Sequence, residues 1–183
     1  EILRAAGMQS TACGNIGLPL LACADKLGYD DVAVTEVSSF QLETLSSIRP
    51  QVAVIPNITE DHLDRHYSMD NYIFLKSKLL RNRRESEFAV LNYDDPTVRS
   101  FAKDARCAVR YFSVRERVEG AYLYDGGLYF ENEKIADVSS LSLKGEHNVK
   151  NALAAICAAK LMGVESGVIA QALATRRGVR HRI

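Results

Sequence analysis

The chain predicts an α/β fold: a mostly parallel sheet wrapped by helices, with a small antiparallel β-hairpin subregion. Two observations carry this reading. From Val32 to Phe112, short β-branched runs alternate with segments of helical length and patterning, as in strands joined by helical crossovers. From Gly120 to Val138 the spacing changes to three short apolar runs separated by turn residues, as in hairpins. The 183 residues are 47% hydrophobic and 25% charged, enough to bury one core, and no repeat, low-complexity tract or Pro-rich linker divides them. One domain over residues 1–183 is expected.

Each element has its own signal. Glu1 to Ala6 has helical composition and stops at Gly7, a residue suited to a helix C-cap, and with no capping residue before it the chain is expected to start inside a helix. Asp31 to Val37 and Gln51 to Ile55 are β-branched runs bounded by turn residues, which predicts strands. Met69 to Arg84 and Asp95 to Ala105 predict helices, with strand Phe88 to Asn92 between them and strand Ala108 to Phe112 after them. The hairpin strands are Ala121 to Tyr124, Leu128 to Glu131 and Lys134 to Val138. Helices Asn148 to Met162, ended by Gly163, and Ser166 to Ala174 follow, and Thr175 to Ile183 is basic and irregular.

Composition narrows the function classes. Lys plus Arg and Asp plus Glu each total 23, so the formal charge is zero and favours neither nucleic acid nor an anionic membrane. No apolar run approaches the roughly 20 residues of a membrane helix, and Glu1-Ile2-Leu3-Arg4 does not open a signal peptide. A cytoplasmic protein without membrane insertion is expected. Cys13, Cys23, Cys107 and Cys157 form no Cys-x-x-Cys pair and sit among apolar or small residues, so they are read as buried free thiols of the core.

Four places carry residues suited to chemistry. Glu36-Val37-Ser38-Ser39-Phe40-Gln41-Leu42-Glu43 follows a strand directly, and ligands of parallel sheets bind outside the carboxyl ends of strands. Glu36 is placed there either to bind a metal ion or donor or to be a solvated strand end, with Ser38 a helix N-cap. Asn57-Ile58-Thr59-Glu60-Asp61-His62-Leu63-Asp64-Arg65-His66 also follows a strand, and its oxygen and imidazole donors suit magnesium or manganese, or zinc through the two histidines. His62, flanked by acids, is the functional candidate; His66 reads as structural. Lys76 lies one helical turn after Tyr72, where an exposed lysine is the ordinary outcome. Asn148 and Asn151, three apart at the start of an Ala-rich helix, share a face from which two amides can read the edge of a planar ring; Asn148 is alternatively an N-cap. Gly14-Asn15-Ile16-Gly17 is a turn that lets backbone approach a ligand. No G-x-x-x-x-G-K-[ST] loop is present to cradle phosphates.

Taken in order, GNIG at Gly14 to Gly17, EVSSFQLE at Glu36 to Glu43, NITEDHLDRH at Asn57 to His66, YIFLK at Tyr72 to Lys76, KGEHNVKNA at Lys144 to Ala152 and GVRHRI at Gly178 to Ile183 resemble the Mur ligase family. The match spans nearly the whole chain, and the SSFQLE form is similar to that of the member adding D-glutamate. The resemblance implies a P-loop-NTPase-like central ATPase domain. It implies that Glu36 and His62 bind two magnesium ions and that Lys76 is a carbamylated lysine whose CO2-derived carbamate faces the second ion. It implies further that Asn15, Ser38 and Gln41 contact the UDP-muramoyl substrate, that Asn148 and Asn151 hold adenine, and that Arg182 approaches the ATP phosphate or ribose. His147 and His181 match family positions without an assigned role.

The activity so implied is peptidoglycan precursor synthesis: ATP-dependent joining of D-glutamate to UDP-N-acetylmuramoyl-L-alanine through an acyl phosphate, by a parent enzyme that is a monomer. In the family the phosphate loop opens the helix whose tail matches Glu1 to Ala6, and uridine-binding and carboxy-terminal domains flank the centre. This polypeptide by itself is therefore expected to be inactive. Two other readings compete: a non-catalytic nucleotide or sugar-nucleotide binding module, and a metal-dependent phosphoesterase built on His62, Asp64 and His66.

Overall fold

The structure, a computed structural model, describes residues 1–45, 47–59, 68–81 and 84–175, leaving aside the side chain of Arg81. In chain order the elements are α1 (Ile2–Ala5), β1 (Ser10–Gly14), α2 (Leu20–Ala24), β2 (Val32–Glu36), α3 (Ser39–Thr44), β3 (Val52–Ile55), α4 (Met69–Arg81), β4 (Phe88–Asn92) and α5 (Pro96–Ser100). A 3-10 turn (Phe101–Asp104) extends α5, followed by β5 (Ala108–Ser113), β6 (Gly120–Tyr124), β7 (Gly127–Phe130), β8 (Glu133–Asp137), α6 (Glu146–Leu161) and α7 (Ser166–Thr175).

Strands β1 and β2 pair in parallel as a two-stranded sheet, and a six-stranded sheet runs in the order β3-β4-β5-β6-β7-β8. The first four strands of the larger sheet are parallel, and β6-β7-β8 form an antiparallel meander. This is the expected α/β architecture with its hairpin subregion. The reason β4 reads so clearly in the sequence is that it is covered on both sides. Ala89 and Leu91 enter one apolar cluster with Ala53, Ile55, Leu80, Val98 and Phe101. Val90, one residue out of phase, enters the other with Phe112, Leu128, Leu153 and Ile156. A strand buried on both faces is apolar throughout rather than alternating. Helix α6 supplies a large share of the second cluster, burying Val149, Leu153, Ile156 and Cys157 on one stripe.

Several expected boundaries move, each for a local reason. Helix α1 ends at Ala5 with Ala6 as its C-cap and Gly7 just after it: the Gly7 amide reaches the Arg4 carbonyl at 3.0 Å, and the Gly7 φ of 78° turns the Met8 amide to the Leu3 carbonyl at 2.9 Å. Strand β1 was not expected, because Ser-Thr-Ala-Cys-Gly has little strand propensity; its pairing with β2 makes it a strand. The helix expected over Asp95 to Ala105 turns into a 3-10 segment at Phe101. Helix α6 starts at Glu146 rather than Asn148, because Gly145, with φ 101°, takes the N-cap position. Of the four thiols placed in the core, Cys13, Cys23 and Cys157 are buried, whereas Cys107 is half-exposed ahead of β5; all four are free.

The parallel pairing of β5 with β6 is unusual in its short connection, residues 114–119, where parallel strands ordinarily need a dozen residues or more. Only Tyr111 to Ser113 pair with β6. The return is held by Asp94, whose carboxylate accepts from Ser113 Oγ at 2.6 Å and from the Val114 amide at 2.8 Å. Gly120, with φ 137°, completes it; a Cβ there would lie 2.1 Å from the Tyr111 carbonyl oxygen.

Candidate functional site at the carboxyl ends of the strands

The parallel register sets Gly14 opposite Glu36, the last residues of β1 and β2. Just beyond, the Asn15 amide donates to the Glu36 carbonyl at 2.9 Å, and Asn15 Nδ2 donates to Glu36 Oε1 at 3.0 Å. The strands approach closely enough that a Cβ on Gly14 would sit 2.2 Å from the Glu36 carbonyl oxygen, and its φ of 104° is one that only glycine adopts without strain. The chain then turns back so that Gly14 N–H reaches the Leu18 carbonyl at 2.8 Å. Both side chains of the Asn15 and Glu36 pair face solvent at the strand ends, where a parallel sheet binds ligands.

Two residues on, Ser38 caps α3 in a reciprocal box. Its Oγ accepts from the Gln41 amide at 3.3 Å, and Gln41 Oε1 accepts from the Ser38 amide at 2.9 Å. The Ser38 hydroxyl also donates to Gln41 Oε1 at 3.1 Å. The N-cap role considered for Ser38 is thus present, and Gln41 belongs to the same cap. Leu42, fully buried, anchors the helix.

Helix α4 packs on α3, and Lys78 explains how: its Nζ donates to the Leu42 carbonyl and, at 3.1 Å, to the Glu43 carbonyl, meeting the carboxyl end of α3 with a positive charge. Lys76 lies two positions earlier, about 200° around the helix, and so projects from a different side. It is half-buried, with Nζ 5.5 Å from the centre of the buried Tyr72 ring. Sequence reasoning singled out Lys76 and gave no role to Lys78.

The third strand end was missed in part. Asn92 and Asp95, at the end of β4 and the start of α5, hold the chain leaving β3: Asn92 Nδ2 donates to the Pro56 carbonyl at 2.8 Å, and Asp95 Oδ2 accepts from the Ile58 amide at 2.9 Å. The available signal was Asn92-Tyr93-Asp94-Asp95-Pro96 directly after a strand. His62, with Glu60, Asp61, Asp64 and His66, lies outside the described residues, as do His181 and Arg182.

Asn148 and Asn151 are on the first turns of α6. Asn148 Nδ2 donates to the Lys144 carbonyl at 2.8 Å, and Asn151 Nδ2 lies 3.0 Å from His147 Nε2. Lys150 holds the adjacent Glu146 carboxyl below its ordinary range through a 2.6 Å ion pair.

The donors at the β1 and β2 ends are carboxylate and amide oxygens, the chemistry that a hard divalent cation prefers. Among the described residues, no three His, Cys, Asp or Glu side chains converge on one point. Glu36 therefore fits as one ligand of such an ion but does not complete its shell.

The chain matches the Mur ligase middle domain family over residues 4–159. It is 44% identical over 188 aligned positions to UDP-N-acetylmuramoylalanine--D-glutamate ligase of Thermoanaerobacter sp. (strain X514), covering all of this chain and 41% of that protein. It is 42% identical to the protein of the same name from Lactococcus lactis subsp. lactis (strain IL1403), with the same coverage. The chain thus spans about 41% of the length of these curated relatives. Among solved structures, UDP-N-acetylmuramoyl-L-alanyl-D-glutamate--2,6-diaminopimelate ligase superposes with a TM-score of 0.81 at 20% identity, over 99% of this chain and 44% of that one. A pseudomurein peptide ligase type C from Methanothermus fervidus gives 0.73 at 21% identity, over 97% of this chain and 46% of that one. At these identities the superpositions speak to the fold.

Proposed function

Because the chain belongs to the Mur ligase family through its middle domain, we propose that it is the ATP-binding centre of a cytoplasmic, monomeric ligase of peptidoglycan precursor synthesis. The parent enzyme joins D-glutamate to UDP-N-acetylmuramoyl-L-alanine. The names of the relatives at 42% to 44% identity support the choice of substrates. The observation that carries the assignment to this site is the Asn15 and Glu36 pair, a carboxylate oriented by an amide at the carboxyl ends of two parallel strands.

The chemistry is charge management. Transfer of the γ-phosphoryl of ATP to the substrate carboxylate breaks the bond to the β-phosphate and forms an acyl phosphate. The D-glutamate amine then attacks the acyl carbon, and phosphate leaves as the amide forms. Two anions meet in the first step, so the site must offset their repulsion. Magnesium, held by Glu36, His62 and a carbamate on Lys76, would supply positive charge there. Asn15 fixes the Glu36 carboxylate in place through Nδ2. Ser38 and Gln41, which fix the start of α3, present the substrate-facing end of that helix. Asn148 and Asn151 bind adenine, for which their hydrogen bonds to Lys144 and His147 must open or share, and Arg182 approaches the ATP phosphate or ribose.

The test is phosphate release by the purified parent with ATP, magnesium and UDP-N-acetylmuramoyl-L-alanine. Release is expected with D-glutamate, and loss of about tenfold or more is expected in Glu36→Gln. Release that is independent of D-glutamate would refute the reading.

A further inference from the structure

Asn92 is 5% exposed, one of few polar side chains buried among the described residues, and both ends of its amide are used. Its Oδ1 accepts from the Asp94 amide at 2.9 Å and its Nδ2 donates to the Pro56 carbonyl at 2.8 Å. Asp95 also divides its two oxygens. Oδ1 accepts from the Thr97 and Val98 amides at 2.9 and 3.1 Å, which is the whole of an N-cap, and Oδ2 accepts from the Ile58 amide at 2.9 Å. A capping residue needs only the first set. The second reaches 37 residues back along the chain to a different strand end.

The carbonyl before Asn57 and the amide after it are thus both gripped from β4 and α5, while Ile58 packs on the cluster of Ala53, Ile55 and Leu91. The main chain at Asn57 is fixed in direction as it leaves β3, and the acid and imidazole run from Glu60 to His66 follows directly. We propose that Asn92 and Asp95 are positioning residues for the ligase reaction, acting through their hold on the Pro56 carbonyl and the Ile58 amide, the main chain that leads into that run. This rests on the magnesium reading of the run given above. Outer partners of metal ligands commonly change metal affinity by about 10–100-fold when removed.

Two variants of the full-length parent separate this role from simple folding. Asp95→Asn keeps one oxygen for the α5 cap and turns an NH2 toward the Ile58 N–H, so only the long-range bond is lost. Asn92→Asp keeps the acceptor for Asp94 and loses the donor to Pro56. In both, hydrogen exchange at the Ile58 amide should quicken about tenfold, and the magnesium concentration for half-maximal phosphate release should rise about tenfold, with the melting midpoint within a few degrees of the parent. If one variant fails to fold, the other answers alone. An unchanged magnesium requirement and kcat in a folded variant with quickened Ile58 exchange would overturn the proposal. His62→Ala, measured beside them, should raise the same requirement. If it does not, the magnesium reading falls and takes this inference with it; if it does while the anchor variants stay at the parent's value, the anchoring alone falls.

Discussion

Asn15 is tied to Glu36 twice, through its main-chain amide to the Glu36 carbonyl at 2.9 Å and through its side-chain amide to the carboxylate at 3.0 Å. The first bond continues the β1 and β2 ladder, and the second orients the one carboxylate that the ladder brings to the strand end. Asn15→Ala should therefore leave the fold standing, since the ladder bond is main chain, and lower ligase activity of the parent by about tenfold. Gly14→Ala should do more. Its Cβ has no room against the Glu36 carbonyl, so the strands must separate, and both the melting midpoint and activity should fall. Parallel thermal melts and phosphate-release assays distinguish the two.

Ser38→Ala removes the hydroxyl half of the α3 capping box and leaves the Gln41 amide unmet. A loss of about 1 kcal/mol in stability is expected from denaturant unfolding. If Ser38 also touches substrate, KM for UDP-N-acetylmuramoyl-L-alanine rises in the parent, whereas Ser38→Thr, which keeps the cap, restores stability.

Burial pushes the Cys157 thiol up to about 12, from an ordinary value of 9.0. Between those values the unfolded chain releases a proton that the folded chain keeps. Stability carried by this thiol is thus complete below pH 9 and is lost as pH rises toward 12. The alkaline decline in stability should be shallower in Cys157→Ala than in the parent sequence. At pH 8, alkylation of the native protein should modify half-exposed Cys107 before Cys157.

How much of this was legible in the sequence depended on burial. Strand β4 was readable to the residue because clusters on both sides demand an unbroken apolar run. Helices α4 and α6 were readable because length and apolar spacing mark them. Strand β1 was not, since Ser-Thr-Ala-Cys-Gly becomes a strand only through its partner. The Asn15 and Glu36 pair was hidden with it: each residue was suspected, but nothing in either segment shows that they meet. Lys76 and Lys78 are equivalent by composition, and only the packing of α4 on α3 shows that Lys78 holds the Leu42 and Glu43 carbonyls. The hold of Asn92 and Asp95 on Pro56 and Ile58 is likewise a contact between strand ends remote in sequence.

The central proposal is that Glu36, the run containing His62, and Lys76 form the magnesium and substrate site of an ATP-dependent ligase. The most direct measurement is ATP- and D-glutamate-dependent phosphate release by the full-length parent and its Lys76→Ala variant, at ordinary and at low bicarbonate. A carbamate on Lys76 requires that the variant lose activity by about a hundredfold or more at both levels, and that the parent weaken as bicarbonate is withdrawn. Full activity of Lys76→Ala at low bicarbonate would contradict the proposal.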